Sequence, residues 1–204
     1  HPMDIDQTNL VASISNITKV FNEEQKLPEM DAYTISSIYD QWTDLSKTAD
    51  TTALAYNTVL GVFDQLMLNM DNARVPANGR ILCTHEVKKM LQIADGMTRN
   101  FNVQSNNQVI DRQVSRLDEV EVIGVPSVLM KTAYNFTSGW APATTADQIN
   151  MMLIHPAAVI TPVSYTFAQL DEPSAGSEGK YIYYEEAFED VFILNKKADA
   201  IQFN

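Results

Sequence analysis

The sequence predicts an α+β fold, and three observations carry that prediction. Helical periodicity fills the first third of the chain, turn chemistry and a short strand follow at residues 76–84, and strand signals dominate from Phe101 onward. Helices first and strands later is the α+β order; a doubly wound sheet would alternate the two strictly.

Taken in order, apolar side chains recur at helical spacing over residues 8–26, at Leu10, Ile14, Ile17, Val20 and Phe21. Pro28 restricts Leu27, so this helix is expected to end there. A second, short helix is expected after Pro28, with Glu29 and Asp31 suiting its first turn and Tyr33, Ile35, Ile38, Tyr39 and Trp42 on its apolar face. The strongest pattern covers residues 51–72. Asp50 or Thr51 can cap it, and Ala55, Val59, Val62, Phe63, Leu66, Met67 and Met70 form a broad stripe. At ~1.5 Å per residue that helix would be about 30 Å long. Pro76-Ala77-Asn78-Gly79 is turn chemistry, with Asn-Gly tolerating positive φ. Residues 80–84 read as a strand. Thr84 would then cap a helix over 85–95, with Val87, Met90, Leu91 and Ala94 inside. Later strands are expected at 120–126, on both sides of Pro156 within 149–167, and at 180–194, with exposed loops at 135–148 and 171–179.

Composition narrows the function. The 204 residues suit one large domain or two small ones, and 45% hydrophobic content is ordinary for a globular chain. No apolar run approaches the ~18 residues of a membrane span. A formal charge of -12 argues against phosphate-gripping nucleic-acid binding and against an anionic membrane surface. Residues 171–190 alone hold seven acids against Lys180, which is half the net charge in a tenth of the chain. One cysteine excludes an internal disulfide and makes a reducing compartment the default. The opening His-Pro-Met-Asp-Ile-Asp has no initiator Met at position 1 and reads as a fragment or a processed product.

The residue types of active sites are few. Cys83, His85 and Glu86 lie almost together, but neighbours on a strand end point apart, and Cys83 sits in an apolar strand where a free Cys packs as a small hydrophobe. His155 before Pro156 could join His85 on a metal, yet no His-x-x-x-His or Glu-x-x-His spacing exists. Glu185, Glu186, Glu189 and Asp190 would pair on a helix, but their stretch reads as strand; a solvated or interface-facing acidic surface is the simpler role. There is no glycine-rich phosphate loop, no calcium loop and no Gly-x-Ser-x-Gly elbow.

Five stretches occur in a telling order: "KLPEMDAYTISSIYDQW", "NARVPANGRILCTHEVKKML", "LDEVEVIGVPSVLMKTAY", "MMLIHPAAVITPV" and "YYEEAFEDVFILNKKADAIQ". Together they resemble the major capsid (head) protein of tailed bacteriophages, with its Hong Kong 97-type shell fold, over most of residues 20–203. The resemblance implies a peripheral domain from residues 1–77 and 171–204, holding a long spine helix over 51–72. It implies an axial domain from 78–170 with a central mixed or antiparallel sheet flanked by helices, and final strands around 180–203 returning to the peripheral part. The family's N-terminal arm and extended hairpin before the spine helix are not evident, because residues 8–47 read as helical. The implied function is structural, with no catalytic, cofactor or metal residues. Copies of the chain form pentamers, hexamers and an icosahedral shell around DNA, with scaffold and portal proteins as further partners. The implied location is the virion head, assembled in the host bacterial cytoplasm. Candidate contacts between subunits are Phe136 and Trp140 in a loop, Glu185 and Glu186 on the acidic side, and Arg74, Arg112 and Arg116 on the basic side, with Arg80, Lys88, Lys89 and Lys131 as further basic candidates. Two alternatives remain: an encapsulin-like compartment shell, and a small hydrolase using Cys83 with His85 or His155.

Overall fold

The computed structural model describes residues 16–94, 116–117 and 120–204. It is a mixed α+β fold in which helices cover both faces of one five-stranded sheet.

Helical winding runs unbroken from residue 16 to Asp44, so Pro28 does not end the first helix. Proline lacks an N–H, and its ring crowds the carbonyl four residues back. A π-turn over Asn22–Lys26 widens the winding at that place, and the Leu27 N–H reaches back to the Asn22 carbonyl. Leu27 keeps helical dihedrals, φ -63° and ψ -46°. The α-helix after the turn, α1, spans Leu27–Asp44 and buries Ala32, Ile35, Ile38 and Trp42.

The second helix, α2, spans Val59–Asn72, not 51–72. At 14 residues it is about 21 Å long. The far C-terminus takes the residues before it: the Asn204 side-chain amide donates to the carbonyls of Asp50 and Thr52 at 3.0 Å each, and the Asp50 N–H donates to the Phe203 carbonyl at 2.9 Å. Those bonds hold the start of the segment out of the helix. The other end closes with paired backbone bonds, Val75 N–H to the Met70 carbonyl (3.0 Å) and Arg74 N–H to the Asp71 carbonyl (2.9 Å), with Arg74 left-handed at φ 61°. Gly79 follows at φ 86°, as Asn-Gly turn chemistry predicts.

Arg80 then fixes this corner from inside. Its side chain is wholly buried, and its guanidinium donates to Asp71 (2.6 Å), to the Val75 carbonyl (2.6 Å) and to the Pro76 carbonyl (3.0 Å). It is a helix-end clamp and no longer a candidate for contact with another subunit.

Strands β1 (Ile81–Thr84), β2 (Arg116–Leu117), β3 (Val120–Gly124), β6 (Met151–Ile154) and β11 (Ile201–Phe203) form the sheet in the order β11-β6-β1-β3-β2. Only β1 and β3 run parallel; the other pairs are antiparallel. The last strand therefore lies in the central sheet beside β6, so the sheet gathers strands from Ile81 to Phe203. The two-residue alternation of strands separates the two cores. Met151 and Leu153 of β6 join α2 and the short helix α3 (Val87–Ile93) on one face, while Met152 and Ile154 join α1 on the other. On the α1 side Phe203 packs its ring 5.0 Å from Trp42 and 5.1 Å from Tyr39, and the Trp42 indole donates to the Ala198 carbonyl. Thr84 does not cap α3. Its hydroxyl donates to the Asn150 carbonyl, and the helix starts two residues later than expected and ends at Ile93.

Three smaller strand pairs hang from this sandwich. Tyr134–Asn135 (β4) and Ala141–Pro142 (β5) make a tight hairpin where a loop is expected. Val159–Ile160 (β7) pairs with Phe192–Ile193 (β10), and the Gln41 side-chain amide ties β10 and its entry to α1, its Nε2 donating to the Val191 carbonyl and its Oε1 accepting from the Ile193 N–H. Between β7 and β10 the chain runs out along Val163–Asp171 (β8) and back along Ile182–Glu189 (β9).

Candidate functional site

Among the described residues, Cys83, His85 and His155 are not gathered into one constellation. Burial pushes the Cys83 thiol up to about 11, with Glu121 adding to the effect, and a nucleophile needs the thiolate. The His85 ring accepts from the Glu86 N–H through Nδ1 (2.6 Å) and meets the Asn150 side chain through Nε2 (3.3 Å). His155 caps the turn Pro156–Ala158, its Nδ1 accepting from the Ala157 N–H. Among the described residues no group of three or more His, Cys, Asp or Glu is placed to hold a metal ion, and no helix is long and apolar enough to cross a membrane.

The unusual surface is the β8–β9 hairpin. At ~3.3 Å per residue its nine-residue strand is about 30 Å long. Every residue of β8 is exposed and none of β9 is buried. Yet it carries large aromatic side chains. On one face Tyr165, Phe167, Tyr184 and Phe188 make a continuous ladder, with ring centroids 5.8 Å apart for Tyr165–Phe188, 6.0 Å for Phe167–Tyr184 and 6.5 Å for Tyr165–Phe167. These rings are 38–55% exposed. The register places Thr166 and Ala187, Ala168 and Glu185, and Leu170 and Tyr183 on the opposite face.

That opposite face meets the helical turns before α1. Ile17, Phe21 and Lys26 line a groove with Tyr183, Glu185 and Ala187, and Lys26 forms an ion pair with Glu185. The Lys26 hydrogen bond, helped by one from Tyr183, holds the Glu185 carboxyl below its ordinary range. The Tyr183 and Tyr184 hydroxyls donate to Glu185 and Glu186, which pushes both phenols up.

The expected contact residues fall in separate places. Glu185 and Glu186 lie on opposite faces of β9, and each is engaged within its own chain. Phe136 and Trp140 sit around Tyr134 on the small hairpin, each ring 6.1 Å from it, and Phe136 also meets Tyr33 of α1 edge to face at 5.7 Å. Phe136 thereby comes to the root of the long hairpin, while Arg74 is exposed at the end of α2. Arg112 lies outside the described residues, and Arg116 is described only by its place in β2.

Sequence reasoning missed the aromatic ladder. Its signal was present: a buried strand does not carry Glu185, Glu186 and Glu189 among its aromatics. No family model, curated protein or solved structure matches the chain.

Proposed function

We propose that this chain is a structural subunit of a phage head, related to the Hong Kong 97-type shell proteins, and that it works by self-assembly into rings and an icosahedral shell enclosing DNA. The observation that carries the reading is the β8–β9 hairpin. A two-stranded ribbon is marginal in water on its own, and this one presents an aromatic face to solvent. A further copy of the chain is the partner that would cover it.

Magnitudes favour many contacts over one. Four half-exposed rings of ~200 Å² each leave roughly 400 Å² to cover on the ladder face. That is about half of one partner's share in a standard stable interface, so a pair held by this patch alone would be weak. In a closed ring or shell each copy makes several such contacts at once, and their effects multiply. The sandwich behind the hairpin supports the same reading, since it has two filled cores and keeps the outer surfaces rigid. The residue order that resembles the head proteins supplies the identity of the assembly; the exposed ribbon supplies the need for one. Shell walls with this acidity would surround DNA without gripping it.

Electron microscopy and sedimentation of the whole gene product test this. Rings, capsomers or shells are expected. A strictly monomeric protein at high concentration overturns the proposal.

A further inference from the structure

At the root of the long hairpin a groove of about 600 Å³ opens between the first turns of α1, the base of β8–β9 and Phe136. Met30, Tyr33, Phe136 and Val163 give it apolar walls. Glu29, Asp31, Glu189 and Asp190 edge it with four carboxylates against a single ammonium, Lys26, which Glu185 already engages. Asp190 is occupied, accepting from the Tyr33 hydroxyl (3.1 Å) and the Val191 N–H (2.8 Å). Glu29, Asp31 and Glu189 have no ion pair or hydrogen bond among the described residues. Partial desolvation pushes the Asp31 carboxyl up. Apolar walls with an aromatic face and unneutralised acids at the edge suit an aliphatic cation, with methylenes against the rings and the charged head at the carboxylates.

The complement lies on the same chain. Lys88 and Lys89 of α3 are the one adjacent lysine pair with neither ammonium engaged among the described residues; Lys19, Lys26, Lys47 and Lys180 each meet a carboxylate, and Lys197 donates to the Ala157 carbonyl. Lys89 and Ile93 are both exposed and stand one helical turn apart, so a cation and an apolar side chain share one convex face. The helix α3 packs on the sheet face opposite α1, so the sheet separates each molecule's own groove from its own α3.

We infer that the groove receives the Lys89–Ile93 face of α3 from a second copy of this chain; the inference rests on the self-assembly proposed above. Groove and helix occupy different faces, so the contact is head to tail. Each copy is left with a free groove or a free helix until a ring closes.

Carbodiimide coupling of the whole chain tests it, because that reagent joins an ammonium to a carboxylate only at contact. In a mixture of ¹⁵N-labelled and unlabelled protein, mixed-isotope peptides linking Lys89 to Glu29, Asp31 or Glu189 are expected. Lys89→Glu and Glu189→Lys, both at exposed positions, should each weaken association roughly tenfold or more in sedimentation velocity. The double variant should recover to near the wild-type value. If wild-type protein associates while the two single variants match it, or the double variant does not recover, or the mixed links form elsewhere, the groove contact is overturned and the shell reading stands. If wild-type protein does not associate at all, both fall.

Discussion

The strand β6 and the hairpin β8–β9 both carry large apolar side chains and have opposite fates. Met151-Met152-Leu153-Ile154 is buried on both faces between two helical layers. Val163-Ser164-Tyr165-Thr166-Phe167 alternates apolar with polar side chains and is exposed throughout. What separates them is position in the topology. The central strand has neighbours on both edges and helices on both faces, whereas the ribbon leaves the sandwich after β7 and returns only at β10. Apolar content therefore says that a strand wants covering; only the tertiary arrangement says whether the chain does it alone.

The sharpest way to break this contrast is to remove the side chains that hold each region and compare the losses. Trp42→Ala takes out the ring between α1 and Phe203 and should cost about 3–5 kcal/mol in denaturant unfolding, as for large aromatic truncations in cores. Arg80→Ala should cost about 2–3 kcal/mol, because it strands the Val75 and Pro76 carbonyls; the half-exposed Asp71 can rehydrate, which keeps the loss below that of a fully buried pair. Arg74→Gly should stabilise by about 0.5–1 kcal/mol, measured by the same unfolding curve, since it removes a side chain from a left-handed position. The hairpin pair Phe167→Ser and Phe188→Ser should move global stability by no more than about 0.5 kcal/mol. The same pair should abolish large assemblies in sedimentation. A loss of several kcal/mol there would mean that the ribbon belongs to the cooperative core.

A pH titration probes the tie between ribbon and helix more finely. Glu185 has a lowered pKa in the folded chain, so its bond to Lys26 stabilises fully above the ordinary carboxylate value of 4.5 and is lost as pH falls through the lower folded value. Amide exchange at residues 22–26 should quicken over that acid window. In Lys26→Met the acid step should be absent.

Much of the fold was legible because alternation and turn chemistry are local. The strands near 120–126, 149–167 and 180–194 appear, Gly79 has its positive φ, and the helical face of Ile35, Ile38 and Trp42 is the buried one. The errors came from distant partners. Nothing near residue 51 announces that Asn204 will take the carbonyls of Asp50 and Thr52, and nothing near Thr84 announces the Asn150 carbonyl. Pro28 misled for a different reason: its local rule is sound, but a change of winding upstream absorbed the conflict. The surface was less legible than the core. Glu185 and Glu186 lie on a strand, as expected, but both are half-buried, and the pairing of Tyr165 with Phe188, which builds the ladder, is a matter of register across a ten-residue turn.

That change of winding has an angular consequence. An α-helix advances about 100° per residue, so the π-turn's extra residue rotates everything upstream by that amount relative to a regular rod. Ile17 and Phe21 are thereby aimed at the ribbon while Ile35, Ile38 and Trp42 aim at the sheet. One rod thus grips two bodies in different directions, and the five residues Asn22–Lys26 set the angle between its grips. Deleting a single residue there would leave both apolar stripes intact in composition and swing the ribbon's seat about a quarter-turn away.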